Sequence, residues 1–75
     1  MMTPEEARVL AFLRQHLTAT VAELASACLS GATPDWVDRV IANLDWFGYV
    51  TVYQGQGTAK ADVQITDEGL KHAGH

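Results

Sequence analysis

Apolar residues recur along this chain with two different periods. Val9, Leu10 and Leu13, with Leu17 a turn later, share one side of a helical repeat while Arg8, Arg14 and Gln15 fall off it. The spacing predicts an amphipathic helix of about four turns that ends near His16. Its start is marked by Thr3-Pro4-Glu5-Glu6, which offers a capping hydroxyl, a proline where no amide hydrogen is needed, and a glutamate that reaches back to the cap. Thr20-Val21-Ala22-Glu23 repeats the capping logic, and Val21, Leu24, Ala25 and Cys28 follow at the i, i+3, i+4, i+7 spacing of a short buried face. Ser30-Gly31-Ala32 reads as a tight turn. Thr33-Pro34-Asp35 then opens a third helix whose apolar side is Val37, Val40, Ile41 and Leu44, and Gly48 stands where a helix stop favours positive φ.

Beyond Gly48 the period drops to two. Tyr49-Val50-Thr51-Val52-Tyr53 is β-branched and aromatic, the polar stretch Gln54 to Lys60 is turn-prone, and Asp62-Val63-Gln64-Ile65-Thr66 alternates as a return strand does. A hairpin is predicted, with a further short strand near Leu17 to Ala19. Thr66-Asp67-Glu68 caps a last helical turn containing Leu70, and residues 71–75 are expected to fray.

Composition narrows what such a chain can do. Seventy-five residues with 48% hydrophobic and 19% charged side chains suit one small globular domain, 1–75, and not a disordered tail. Five Lys and Arg against nine Asp and Glu give a net charge of -4, which provides no overall basic field to draw the molecule onto phosphates. Cys28 is alone, so no internal disulfide is expected. No stretch reaches the roughly 18 apolar residues of a membrane span, no signal peptide is apparent, and the expected address is the cytoplasm.

Catalytic and metal chemistry find little support. Cys28 falls on the predicted buried face of the second helix, where a thiol is inert packing. His16, His72 and His75 lack the spacing of zinc ligands, so no metal and no cofactor is expected. Gly55-Gln56-Gly57 lacks the lysine and helix start of a phosphate loop. Glu5-Glu6 and Asp67-Glu68 are explained by helix dipoles. The chain is not read as an enzyme.

The order of elements and the residues that carry it resemble the winged helix-turn-helix superfamily, and especially the MarR-type and related bacterial and phage regulators. TPEEARVLAFL is similar to the supporting first helix, TVAELASAC to the first helix of the helix-turn-helix, and TPDWVDRVIANLDWFGYV to a recognition helix running into the wing. ITDEGLKHA resembles the Leu-Thr-x-x-Gly segment that closes many such domains. The resemblance spans nearly the whole chain and implies an α+β fold of three helices, a two- to three-stranded hairpin wing and a short C-terminal helical turn.

It further implies a small DNA-binding protein acting in transcription control, with the third helix in the major groove and the wing on a neighbouring groove or backbone. By position the contacts would come from Thr33, Trp36, Arg39 and Asn43 on the helix and Gln56, Thr58 and Lys60 in the wing. Arg39 has the fork that matches guanine O6 and N7, and Asn43 can pair with an adenine edge, a good bidentate contact contributing about 1 to 3 kcal/mol. The duller alternatives are a solvated pair of Arg39 with Asp35, a surface amide at Asn43, and core-completing rings at Trp36 and Phe47. Duplex DNA is the first expected partner, with a homodimer needed to gather enough phosphate contacts.

Asp35 and Asp38 oppose that reading, because they face phosphates of their own sign. The alternative is an acidic protein-interaction module, or a mimic of DNA charge, that uses Asp35, Trp36, Asp38, Ala42, Asp45 and Trp46. Counted at about 100° per residue, Trp46 points opposite the apolar stripe, in line with Arg39 and Ala42. An exposed tryptophan of this type is a common interface anchor; a ring folded back over the wing is the other outcome.

Overall fold

The structure, a computed structural model, describes residues 2–53 and 62–73. Helix α1 covers Pro4–His16, strand β1 Thr18–Thr20, helix α2 Val21–Ala27, helix α3 Pro34–Trp46, strand β2 Val50–Tyr53, strand β3 Asp62–Ile65 and helix α4 Asp67–Ala73. No helix among the described residues is long and apolar enough to cross a membrane.

Three threonines set the starts of the first three helices. Thr3 and Thr20 each sit in extended backbone and close full capping boxes with Glu6 and Glu23. The box on α1 holds Glu6 at only 3% exposure, its carboxylate accepting from the Thr3 amide at 2.8 Å. Thr33 caps α3 by accepting from the Trp36 amide at 3.2 Å, with Pro34 in the first turn. Each such cap contributes about 1 kcal/mol, which matters in a domain whose core is necessarily small.

The end of α1 departs from expectation. Leu17 does not join Val9, Leu10 and Leu13 in the core; it is 56% exposed. It adopts φ 68 as the C-cap, its amide donating to the Leu13 carbonyl. That reversal ends the helix in one residue and turns the Leu17 carbonyl to accept from the Ile65 amide at 3.1 Å, so sheet pairing starts at once. The helical period therefore stops at His16, one residue short of the leucine that would have continued it.

The sheet order is β1-β3-β2, all antiparallel. The central strand β3 buries Val63 and Ile65 and exposes Asp62 and Gln64, as its alternation predicts. Val63 lies opposite Ala19 on one side and Val52 on the other. Against this sheet and one another pack Val9, Leu10 and Leu13 of α1, Leu24 of α2, Leu29 in the following turn, and Val37, Val40, Ile41 and Leu44 of α3. The third helix thus buries the four residues its pattern assigns inward.

The C-terminal segment is longer than the expected single turn. Helix α4 runs through seven residues to Ala73, so Lys71 to Ala73 belong to it, and it packs on α1. Thr66 ties this helix to the end of α3: its hydroxyl donates to the Gly48 carbonyl at 2.6 Å and accepts from the Gly69 amide at 3.1 Å. Gly69 is buried with no room for a side chain, since a Cβ there would overlap the Tyr49 carbonyl oxygen and lie 2.7 Å from Ile65 Cγ1. The Thr-x-x-Gly spacing is a packing requirement in this chain.

Candidate nucleic-acid interface on the third helix

Helix α3 is held from below and open from above. Its four inward residues fix its rotation, and the Thr33 cap and Gly48, at φ 82, fix its ends. Everything else on it is exposed: Pro34, Asp35, Trp36, Asp38, Arg39, Ala42, Asn43, Asp45 and Trp46. The positions assigned to it from sequence as candidate contacts therefore share one accessible surface, with Thr33 exposed at its start. Gln56, Thr58 and Lys60 lie outside the described residues.

That surface divides into two stripes. At about 100° per residue, Arg39, Asn43 and Trp36 fall within about 60° of one another on one side, while Asp38, Ala42 and Asp45 fall on the other, with Trp46 and Asp35 between them. Asp35 sits in the first turn, where a carboxylate meets the positive end of the helix dipole. Arg39 does not pair with it. The one ion pair within 4 Å among the described residues is Lys71 with Glu68 at 3.4 Å, so the solvated Asp35–Arg39 contact anticipated from their spacing is not made.

The aromatic residues also depart in part from expectation. Trp36 and Phe47 do not complete the core; they are 40% and 41% exposed. The reason is room. Small and medium aliphatics already fill the space under α3, leaving the flanking rings at its edge. Trp46 is 83% exposed, outward as its angle requires and not folded over the wing. Its ring meets the edge of Phe47 at 5.5 Å, Phe47 stacks on Tyr49 at 5.5 Å, and Tyr49 lies 4.4 Å from His72. A continuous row of rings joins the end of α3 to α4. Its His72 end was not anticipated, because the pairing of α4 with Tyr49 depends on the Gly69 contact.

The thiol of Cys28 is buried in the core and its pKa is raised by loss of hydration, opposed by the charge of Arg8. This is the environment of a packed cysteine and not of a nucleophile.

No protein-family model matches the sequence, and no curated protein does. Solved structures do match in three dimensions. MepR of Staphylococcus aureus, a transcription regulator of the multidrug efflux pump MepA, superposes with a TM-score of 0.80 at 21% identity, over 97% of this chain and 53% of MepR. MepR in its complex with DNA gives 0.83 at 24% identity, over 97% and 60%. The YusO protein from Bacillus subtilis gives 0.76 at 26% identity, over 91% and 48%. The chain has the winged helix-turn-helix fold. In this winged helix, α2 and α3 form the helix-turn-helix and β2 and β3 are the strands of the wing. The winged helix spans about half the length of the MepR and YusO chains it matches.

Proposed function

We propose that this chain binds duplex DNA in transcription control, with the Arg39, Asn43 and Trp36 stripe of α3 entering the major groove. The observation that carries the reading is Arg39. It stands exposed on the outward side of a helix whose rotation is fixed by four buried residues, with no carboxylate within 4 Å among the described residues. An arginine held this way keeps its fork available for a guanine edge. Thr33 uses its oxygen in the cap and retains its hydroxyl hydrogen for a phosphate. Gln56, Thr58 and Lys60 supply the wing contact in this reading. The likeness to MepR, solved in complex with DNA, supports the same use of the helix.

The acidic balance sets the demand on affinity. A chain of net charge -4 that offers one arginine on α3 and one lysine in the wing releases few counterions, so its binding is weak per copy and two copies are needed on one site. The test is fluorescence anisotropy with a random pool of short labelled duplexes at low salt, followed by recovery of the bound fraction. Arg39→Ala should weaken binding of a recovered duplex by about five- to a hundredfold, and Lys60→Ala should reduce the slope of log affinity against log salt by about one. Failure of every duplex in the pool to bind at low salt refutes the proposal.

A further inference from the structure

Asp35, Arg39 and Asn43 stand four residues apart on α3, and all three are exposed. Each step of four turns the helix by about 40° and advances it by about 6 Å, so the three side chains form one slanting ridge centred on Arg39. Base pairs of a duplex are stacked about 3.4 Å apart, and one step along the ridge therefore spans about two of them. Asp38 and Asp45 lie about 100° and 120° from Arg39 around the axis, on the flank that meets phosphates. Asp35 is only about 40° away, on the side that meets base edges when Arg39 does.

Bulk decides which end of the ridge goes deepest. Trp46, 83% exposed, projects about 20° from Arg39 and about 10 Å further along the axis, and so holds the C-terminal half of α3 away from the groove floor. The N-terminal half leads, as in other helix-turn-helix proteins, and Asp35 lies in its first turn. The outward neighbours of Asp35 are Asp38 at i+3 and Arg39 at i+4. Neither Arg39 nor any other basic group among the described residues comes within 4 Å of its carboxylate. Capping does not occupy it either, because the Trp36 amide donates to the Thr33 hydroxyl oxygen.

We propose that Asp35 is a specificity-determining residue that reads a cytosine, in a site where Arg39 reads a guanine with one base pair between them. The inference rests on the DNA reading of α3 and adds the sequence which that helix selects. An ionised carboxylate only accepts hydrogen bonds, and the donors in the major groove are the amino groups of cytosine N4 and adenine N6. Adenine sets its N7 acceptor beside the donor and so repels the second carboxylate oxygen; guanine and thymine present acceptors to it. Asp35 therefore acts by exclusion. Its charge weakens binding to every duplex through the phosphates, and weakens it least where cytosine stands opposite. The favoured half-site holds two C·G pairs, one contacted at its cytosine and the other at its guanine.

The test selects the random pool of short duplexes at low salt with the full chain, with Asp35→Asn and with Asp38→Asn, and sequences what each retains. The parent should enrich two C·G pairs separated by one pair. Asp35→Asn should keep the pair read by Arg39 and lose selection at the other by about fivefold or more. It should also bind the unselected pool more tightly than the parent, since one negative charge near the phosphates is gone. Asp38→Asn should bind the pool more tightly as well, yet keep both preferences. Thermal unfolding of the variants isolates the contribution of Asp35 to the helix dipole, because a purely structural aspartate changes Tm and moves no base preference. Retained duplexes that lack the second C·G pair, or a base preference unchanged in Asp35→Asn, would overturn this inference and leave the DNA reading standing. A parent chain that retains no duplex overturns both.

Discussion

Replacing Gly69 by alanine should destabilise the domain although alanine is the better helix former. A Cβ at this position meets the Tyr49 carbonyl oxygen well inside contact distance and Ile65 Cγ1 at 2.7 Å. The carbonyl is not free to yield, because it accepts the Thr66 amide at 3.0 Å. Moving α4 outward instead strains the Thr66 hydroxyl, which bridges the Gly48 carbonyl and the Gly69 amide. Overpacking of this kind costs about 1 to 3 kcal/mol, and weakening two hydrogen bonds adds about 1 to 2 kcal/mol. Against this stands a gain of about 1 kcal/mol in helix propensity. The net is a loss of about 2 kcal/mol. In a domain of this size that lowers Tm by about 10 to 15 °C. Thermal and urea unfolding of Gly69→Ala beside the unchanged protein measures it. A variant as stable as its parent would show that α4 docks loosely and that packing does not require the Thr-x-x-Gly spacing.

Two further outcomes follow from the core. Leu44→Ala removes a side chain with 0% exposure and should cost about 2 to 5 kcal/mol, while Leu17→Ala, at 56% exposure, should change stability by less than about 0.5 kcal/mol; urea unfolding of both decides whether the helix ends where Leu17 reverses. Burial raises the Cys28 thiol pKa in the folded state, so the unfolded chain gives up this proton first. The stabilising contribution is whole below the ordinary thiol pKa of about 8.5 and is lost as pH rises through the higher folded value. Stability should therefore fall more steeply with alkaline pH in the parent than in Cys28→Ala, and equal slopes would contradict the assignment.

Most of the architecture was legible because its signals are local. Capping hydroxyls at Thr3, Thr20 and Thr33, the reaching glutamates Glu6 and Glu23, and the inward set Val37, Val40, Ile41 and Leu44 are all fixed by spacing along the chain, and all are found as read. Trp46 was placed outside by the same arithmetic. The features missed depend on contacts between distant segments. Leu17 continues the helical period but is claimed by the sheet through its bond to Ile65. Leu29 lies outside any periodic set, yet is buried in the turn between α2 and α3. Trp36 and Phe47 lie on the flanks of the inward stripe, where spacing alone does not decide between core and surface, and they are left partly exposed; the Asp35–Arg39 spacing permits a pair that solvent makes hardly favourable. The wing contribution at Gln56, Thr58 and Lys60 lies outside the described residues.

The central claim is that the Arg39, Asn43 and Trp36 side of α3 meets duplex DNA. The most direct measurement is a backbone and side-chain chemical-shift map of the labelled full chain on titration with a duplex recovered from the random pool. The account predicts that shifts concentrate at Thr33, Trp36, Arg39 and Asn43, leave the buried set of α1 unmoved, and diminish with added salt. Shifts confined to the Asp38, Ala42 and Asp45 stripe, or absent from α3 altogether at low salt, would contradict it.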